Sequence, residues 1–179
     1  MKGNVPTQIG SLKNMTVISL KENNLSGTLP DELVNLTKLR EFHVESNHIS
    51  GPISREQWGL LGQVRFTFLN DNRFKGPLPD DIGEILSDET LNFEVRGNEF
   101  SGTIPASLAL LPQLGQIDVS HNLFTGTIPE NLTANTLFLP GNYFTGTIPD
   151  SVCRGVDSIF YDCTGFLSCT CDECFCVRR

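Results

Sequence analysis

The residues with the most obvious chemistry are six cysteines near the end of the chain: Cys153, Cys163, Cys169, Cys171, Cys174 and Cys176. The last four fall within eight residues, and four thiols so close together could hold zinc in tetrahedral geometry. Disulfides are the alternative, with Cys153 or Cys163 as partners, because bridges between near neighbours in sequence are strained. A dense terminal cluster is typical of an oxidising environment. We therefore predict disulfides, leave their pairing open, and predict neither a metal nor a cofactor.

Carboxylates and histidines offer little for catalysis. Glu94 and Asp118 fall in two predicted neighbouring strands, about 5 Å apart, which resembles the carboxylate pair of a retaining glycosidase. Catalysis needs a site that excludes water, however, and an open sheet does not provide one. The three histidines, His43, His48 and His121, are scattered, and none lies beside a nucleophile. The sequence also has no phosphate-binding loop or nucleophile elbow, so it predicts that the protein is not an enzyme.

A repeated unit positions these side chains. The stretch 114–129, L-G-Q-I-D-V-S-H-N-L-F-T-G-T-I-P, has counterparts along the chain, each built around an asparagine: Asn23, Asn47, Asn72, Asn98, Asn122 and Asn142. Successive asparagines are 24, 25, 26, 24 and 20 residues apart, and a glycine follows each by four positions. Periods of this length indicate leucine-rich repeats. The predicted fold is an α/β solenoid, right-handed, with a parallel β-sheet on the concave face and short 3₁₀ or α turns on the convex face.

Each position of the unit has a physical role. Two alternating apolar residues, such as Ile117 and Val119, form the buried face of a short strand. The asparagine follows where the chain turns, and its amide can bond to the backbone of its own and of the neighbouring turn. We predict a structural ladder of the six asparagines. One unit cannot bury its apolar row alone, so neighbouring units stabilise one another.

The strand residues that point away from the core form the concave face. Charges of both signs around aromatic anchors in its middle suit protein recognition. A solvated sheet face without a ligand is the plainer alternative. The predicted ligand-binding residues are His43, Glu45, Phe66, Phe68, Glu94, Arg96 and Asp118.

The third repeat, V-R-F-T-F-L-N-D-N, permits two registers. Counting back from Asn72 points Thr67 and Leu69 inward and leaves Phe66 and Phe68 exposed. A slip by one residue would bury both phenylalanines, because side chains alternate along a strand. We predict the regular register, since the pattern after Asn72 is intact. The fourth repeat is longer, and its extra residues fit a polar loop at 87–89.

The recurring segment x-L-S/T-G-x-I/L-P resembles the plant-type leucine-rich repeat of receptor-like kinases, receptor-like proteins and polygalacturonase-inhibiting proteins. The resemblance covers residues 1–152, which we divide into one partial and six fuller repeats. Residues 153–179 form a cysteine-rich C-terminal cap, which resembles the ends of leucine-rich repeat proteins from diatoms and related algae. The resemblance implies a non-catalytic, receptor-like ectodomain that binds a protein, a peptide or a cell-wall glycan on its concave face. A secreted inhibitor of a cell-wall-degrading enzyme and a structural or adhesion protein are the alternatives.

Composition and charge set the remaining bounds. The chain has 179 residues and a net charge of −8, so it offers no basic surface for nucleic acid. It has no apolar run of about 18 residues, so we predict no membrane span in this chain. Residues 1–6 already resemble the end of a previous repeat, and we expect any export signal or anchor upstream. The cysteine cluster and the sequons at Asn14, Asn24, Asn35 and Asn131 favour a glycosylated protein outside the cell or at its surface.

Overall fold

The computed structural model describes residues 1–64, 66–86, 88, 90–112 and 114–177, with Phe66 and Thr67 described in their backbone alone. Successive turns of the chain stack as a solenoid, and every pairing between the described strands is parallel. The concave face is an eight-stranded sheet, because each repeat contributes one strand to it. Its strands are β2 (Val17–Ser19), β4 (Glu41–His43), β6 (Phe66–Phe68), β8 (Asn92–Glu94), β10 (Gln116–Asp118), β12 (Ala134–Phe138), β14 (Val156–Asp162) and β16 (Cys174–Val177).

A second run of short strands lies after the asparagine turns. Six of its strands form one sheet: β5 (Ser50–Gly51), β7 (Arg73–Pro77), β9 (Glu99–Gly102), β11 (Leu123–Gly126), β13 (Tyr143–Thr147) and β15 (Phe166–Ser168). At the N-terminal end β1 (Lys2–Asn4) pairs with β3 (Asn24–Ser26). The glycine of each repeat lies here with positive φ, for example +78° at Gly126, a region that suits glycine because it has no Cβ.

Short helices return the chain along the convex side. Those in the described residues are 3₁₀ helices at Thr7–Ser11, Asp31–Asn35 and Ala106–Leu110, and the α-helices α1 (Arg55–Leu61), α2 (Ile82–Ile85) and α3 (Asp150–Gly155). Ser54 caps α1 because its side chain accepts from the Gln57 N–H while the Gln57 side chain accepts from the Ser54 N–H. None of the described helices has the length and apolarity that crossing a bilayer requires.

The core is one apolar column along the solenoid. The apolar residue two positions after each ladder asparagine points into it, and from the third repeat onward this residue is phenylalanine. Rings of Phe74, Phe100, Phe124 and Phe144 stack with centroids 6.2, 6.4 and 6.3 Å apart. Trp58 in α1 is 1% exposed and packs 6.2 Å from Phe100. Each ring therefore packs against rings of neighbouring repeats, which is why one repeat would not fold alone.

The third repeat takes the regular register. Phe68 pairs with His43 on one side and with Glu94 on the other, so it lies in the outward row. Leu69 is fully buried. A slipped strand would have buried Phe68, which is instead partly exposed. The polar loop predicted at 87–89 lies outside the described residues, apart from an exposed Asp88.

The concave sheet continues past the predicted boundary after residue 152. Leu137 pairs with Ile159, and Phe138 pairs with Phe160, so β14 repeats the register of β12. Ile159 is fully buried, like the inward residues before it. β16 then adds an edge strand beside β14. The first part of the cysteine-rich segment is therefore one more turn of the solenoid, although Thr164 stands where the ladder asparagine would be.

Candidate functional site

The asparagine ladder holds the turn at the end of each concave strand. Asn98 Nδ2 donates to the carbonyl oxygens of Val95 and Arg96 in its own turn, at 3.0 and 3.1 Å. It also donates to the Leu69 carbonyl of the preceding repeat at 3.0 Å, and its Oδ1 accepts from the Phe74 N–H at 3.0 Å. The same arrangement, with own-turn and preceding-repeat partners, recurs at Asn47, Asn72, Asn122 and Asn142.

Asn23, at the N-terminal end of the ladder, is different. Its Nδ2 bonds to the carbonyls of Leu20 and Lys21 in its own turn, and its Oδ1 accepts from the N-terminal amine of Met1. It is partly exposed, whereas the other five ladder residues are buried. The ladder thus spaces the concave strands rigidly and fixes which side chains point outward.

His43 is the centre of a small cluster on the concave face. Its Nε2 lies 3.3 Å from Glu41 Oε2, and its Nδ1 lies 3.7 Å from Glu45 Oε1. The imidazole stacks on the Phe68 ring with centroids 4.9 Å apart. Glu45 Oε2 is buried and accepts no hydrogen bond from the described residues. The cluster therefore combines two carboxylates with a flat ring surface.

Glu94 lies on β8, opposite Phe68 of β6, and is held by two amides. Asn70 Nδ2 donates to Glu94 Oε2 at 2.8 Å, and Asn92 Nδ2 donates to Glu94 Oε1 at 3.0 Å. None of the basic side chains in the described part of the chain forms an ion pair with Glu94. Arg96, two residues after the end of this strand, is exposed. Glu94 is thus a fixed, half-buried anion that neutral groups orient.

Asp118 departs from the prediction of an outward anion, because it is 7% exposed and its Oδ1 accepts from the Ser120 N–H (3.0 Å) and hydroxyl (2.6 Å). It pairs with Glu94 across the strands but is not accessible beside it, so no open carboxylate pair forms. The side chain of Phe66 lies outside the described part of the chain. Its backbone pairs with Glu41 and Asn92, which places it in an outward row.

The structure adds an aromatic column that sequence reasoning missed in part. Phe138, Phe160 and Phe175 stack along the C-terminal end of the concave face, with centroids 4.7 and 5.4 Å apart and interplanar angles of 12° and 27°. Phe138 lies within the predicted repeats, whereas Phe160 and Phe175 fall in the predicted cap. A signal was available: Ile159 follows Leu137 by 22 residues, an interval within the range of the repeats. We call these three residues the aromatic column.

Comparison with known proteins agrees with this architecture. The Leucine Rich Repeat family model matches residues 14–36 and 113–135. The solved structure of a TDR receptor is 28% identical, with a TM-score of 0.77 over 90% of this chain and 29% of that one. The Arabidopsis receptor kinase HAESA, solved with the peptide hormone IDA and the co-receptor SERK1, is 29% identical, with a TM-score of 0.77 over 90% of this chain and 28% of that one.

The chain is a plant-type leucine-rich repeat protein. Receptor-like protein 41 of Arabidopsis thaliana is 35% identical to it over 129 residues, which is 71% of this chain. Receptor-like protein 53 of the same plant is 34% identical over 150 residues, again 71% of this chain. The chain spans 14% and 15% of the length of these two relatives.

The cysteines of this leucine-rich repeat protein are joined in three disulfides. The pairs are Cys153–Cys171, Cys163–Cys176 and Cys169–Cys174. Two of the bridges lie side by side, so that the sulfurs of Cys153, Cys169 and Cys171 are all within 4.8 Å of one another. A metal would need these atoms as thiolates, whereas here they are in bridges. The first bridge joins α3 to the loop before β16, the second joins the residue after β14 to β16, and the third joins the same loop to β16.

The four sequon asparagines of the leucine-rich repeat protein lie on its surface. Asn14, Asn24, Asn35 and Asn131 are all exposed. Asn14 accepts a hydrogen bond from Lys38 Nζ at 2.8 Å through its side-chain oxygen. Exposure is what a glycan requires, and glycosylation at these positions stays a prediction.

Proposed function

We propose that this leucine-rich repeat protein is a non-catalytic recognition module outside the cell or at its surface, and that its concave face binds an extended peptide. The observation that carries the proposal is the fixed anion at Glu94 beside the His43–Phe68 stack. A carboxylate already oriented by Asn70 and Asn92 pays little ordering cost when a cationic group binds it. The neighbouring rings offer the flat apolar contact that binding anchors use.

The shape of the site supports a peptide over a small molecule. A sheet face is long and shallow, whereas small ligands need a concave cavity that surrounds them. The receptor kinase HAESA, which this chain resembles in fold, was solved with a peptide hormone. The matching receptor-like proteins of Arabidopsis thaliana supply the cell-surface context of the proposal.

The test compares two glutamates by equilibrium binding to a library of extended synthetic decapeptides. Glu94→Gln removes the charge at the proposed anchor, and affinity for the best binders should fall about 10- to 100-fold, since hydrogen bonds to charged groups are of that strength. Glu99→Gln is the matched control, because Glu99 is exposed on β9, away from the concave face. Equal losses in both variants would mean that long-range charge acts, not a site at Glu94. Full binding by Glu94→Gln would reject Glu94 as the anchor.

A further inference from the structure

The aromatic column lies on the same face as Glu94. Its middle ring, Phe160, is on β14, three strands from the β8 strand that carries Glu94. Strands β8, β10, β12, β14 and β16 are consecutive neighbours in the concave sheet. Neighbouring strands are about 4.8 Å apart, so Phe138 is about 10 Å and Phe160 about 14 Å from Glu94 along the sheet. The pairings put Glu94, Asp118, Phe138, Phe160 and Phe175 in one row, so a straight path joins the anion to the rings.

The outward side chains of β10, the strand between Glu94 and the aromatic column, are buried or half-buried and do not obstruct this path. Asp118 at the end of β10 and Ser120 just beyond it are 7% and 5% exposed, because the aspartate folds back onto the serine. Gln116, the remaining outward residue of β10, is half-buried. A ligand backbone can therefore cross β10 while its side chains reach Glu94 on one side and the aromatic column on the other.

The charge of the face selects the chemistry of the ligand. Accessible carboxylates outnumber basic groups among its described outward positions. The acids are Glu41, Glu45, Glu94, Asp162 and Glu173, and the bases are Lys21 and Arg96. Charges around a site steer ligands of opposite sign and oppose ligands of like sign. A cationic ligand is thus favoured, and an acidic polysaccharide is disfavoured.

We propose that the aromatic column is a second subsite of the same peptide site, and that it sets the spacing of the ligand's anchors. This inference rests on the proposed function. The ligand places an arginine or lysine on Glu94 and an aromatic side chain on the aromatic column, centred on Phe160. An extended peptide advances about 3.4 Å per residue and presents alternate residues to one side. Four positions cover about 14 Å and return to the same side, so the basic and aromatic residues are four apart.

The test uses fluorescein-labelled Gly/Ser peptides that carry one arginine and one tryptophan. The two residues are separated by two, four or eight positions, and fluorescence anisotropy measures each affinity. The peptide with a separation of four should bind about tenfold more tightly than the other two, because it alone reaches both subsites without bending. Equal affinity at all three separations would overturn the spacing.

Variants of Phe160 test whether the aromatic column causes the preference for the four-position spacing. Phe160→Ala should weaken the four-position peptide on the order of 30-fold, as loss of a central aromatic anchor does, and should erase the preference for that spacing. Phe166→Ala is the matched control, because Phe166 is 86% exposed on β15 and lies off the concave face. Phe160→Leu keeps apolar bulk on β14, and should lose the same preference with an unchanged thermal melt if Phe160→Ala proves unstable.

The outcomes separate the two proposals. If Glu94→Gln weakens the peptides and neither Phe160 variant does, peptide binding stands and the second subsite is wrong. If no spacing peptide binds but the decapeptide library contains binders, the proposed function stands and the second subsite is wrong; if neither set of peptides binds, both fail. Saturable binding of a neutral β-glucan oligosaccharide that depends on Phe160, with peptides inactive, would assign the column to a glycan and overturn both.

Discussion

Asn98→Ala tests how strongly the ladder holds the solenoid. The change removes the acceptor of the Phe74 N–H, which is then left unpaired in a buried turn at a cost of about 1–3 kcal/mol. The Leu69 and Val95 carbonyls lose one donor each but keep a second from a neighbouring ladder residue. These weaker losses add about 0.5–1 kcal/mol each. We expect the free energy of unfolding to fall by about 2–5 kcal/mol in total.

Urea unfolding measures that loss, with the fluorescence of Trp58 as probe. Trp58 is the single tryptophan and is 1% exposed, so its emission changes when the repeats separate. Circular dichroism must give a coincident transition for the free energies to be comparable. Asn23→Ala is the matched control, and should cost less than about 1 kcal/mol, because water can replace the bonds of a partly exposed amide. Equal midpoint shifts in the two variants would refute the reasoning.

Three further predictions concern the cap and the convex side. Reduction of the natively oxidised protein should lower its free energy of unfolding by about 2–5 kcal/mol per bridge, and reactive thiols before reduction would contradict the pairing. Gly83→Ala should destabilise by about 1–3 kcal/mol in melts, because its Cβ would lie 1.8 Å from the Ser107 carbonyl oxygen. Gly59→Ala, whose Cβ meets nothing within 4 Å, should be neutral or stabilise slightly. A hydrogen bond from Arg55 lowers the pKa of Asp81 below its ordinary 3.8. The stabilisation that this ion pair gives the folded state is therefore present above pH 3.8 and is lost as the pH falls through the lowered pKa. Asp81→Asn should therefore flatten the acid side of the stability profile, and an unchanged profile would show that the pair contributes nothing.

The repeat could be predicted from the sequence because each turn of the solenoid needs the same buried and turn-forming residues at the same positions. An inward pair such as Phe93 and Val95, an asparagine three positions later and a glycine after it must recur wherever the chain turns. The choice of register at Phe68 followed from the same pattern. These residues obey local rules, which a sequence displays directly.

What could not be predicted depends on the path of the chain in space. The disulfide pairing is set by where β14 and β16 bring their thiols, and spacing alone leaves many pairings open. Thr164 in place of a ladder asparagine hid the continuation of the sheet, and with it the outward direction of Phe160 and Phe175. Asp118 looked outward by alternation, yet it bends back because Ser120 supplies two donors.

The asparagine ladder also explains how the sequence of such a repeat protein can change during evolution. Each ladder amide bonds to main-chain atoms of its neighbour, and every repeat offers those atoms whatever its side chains are. The shortest interval, 20 residues from Asn122 to Asn142, illustrates this: residues 127–133, all described, form no helix, yet Asn142 still bonds to the Val119 carbonyl and the Phe124 N–H. Whole repeats can be duplicated, shortened or exchanged, because the same hydrogen bonds to the main chain join each repeat to the next. Outward side chains take no part in these hydrogen bonds, so binding specificity can change one repeat at a time while the asparagine ladder stays the same.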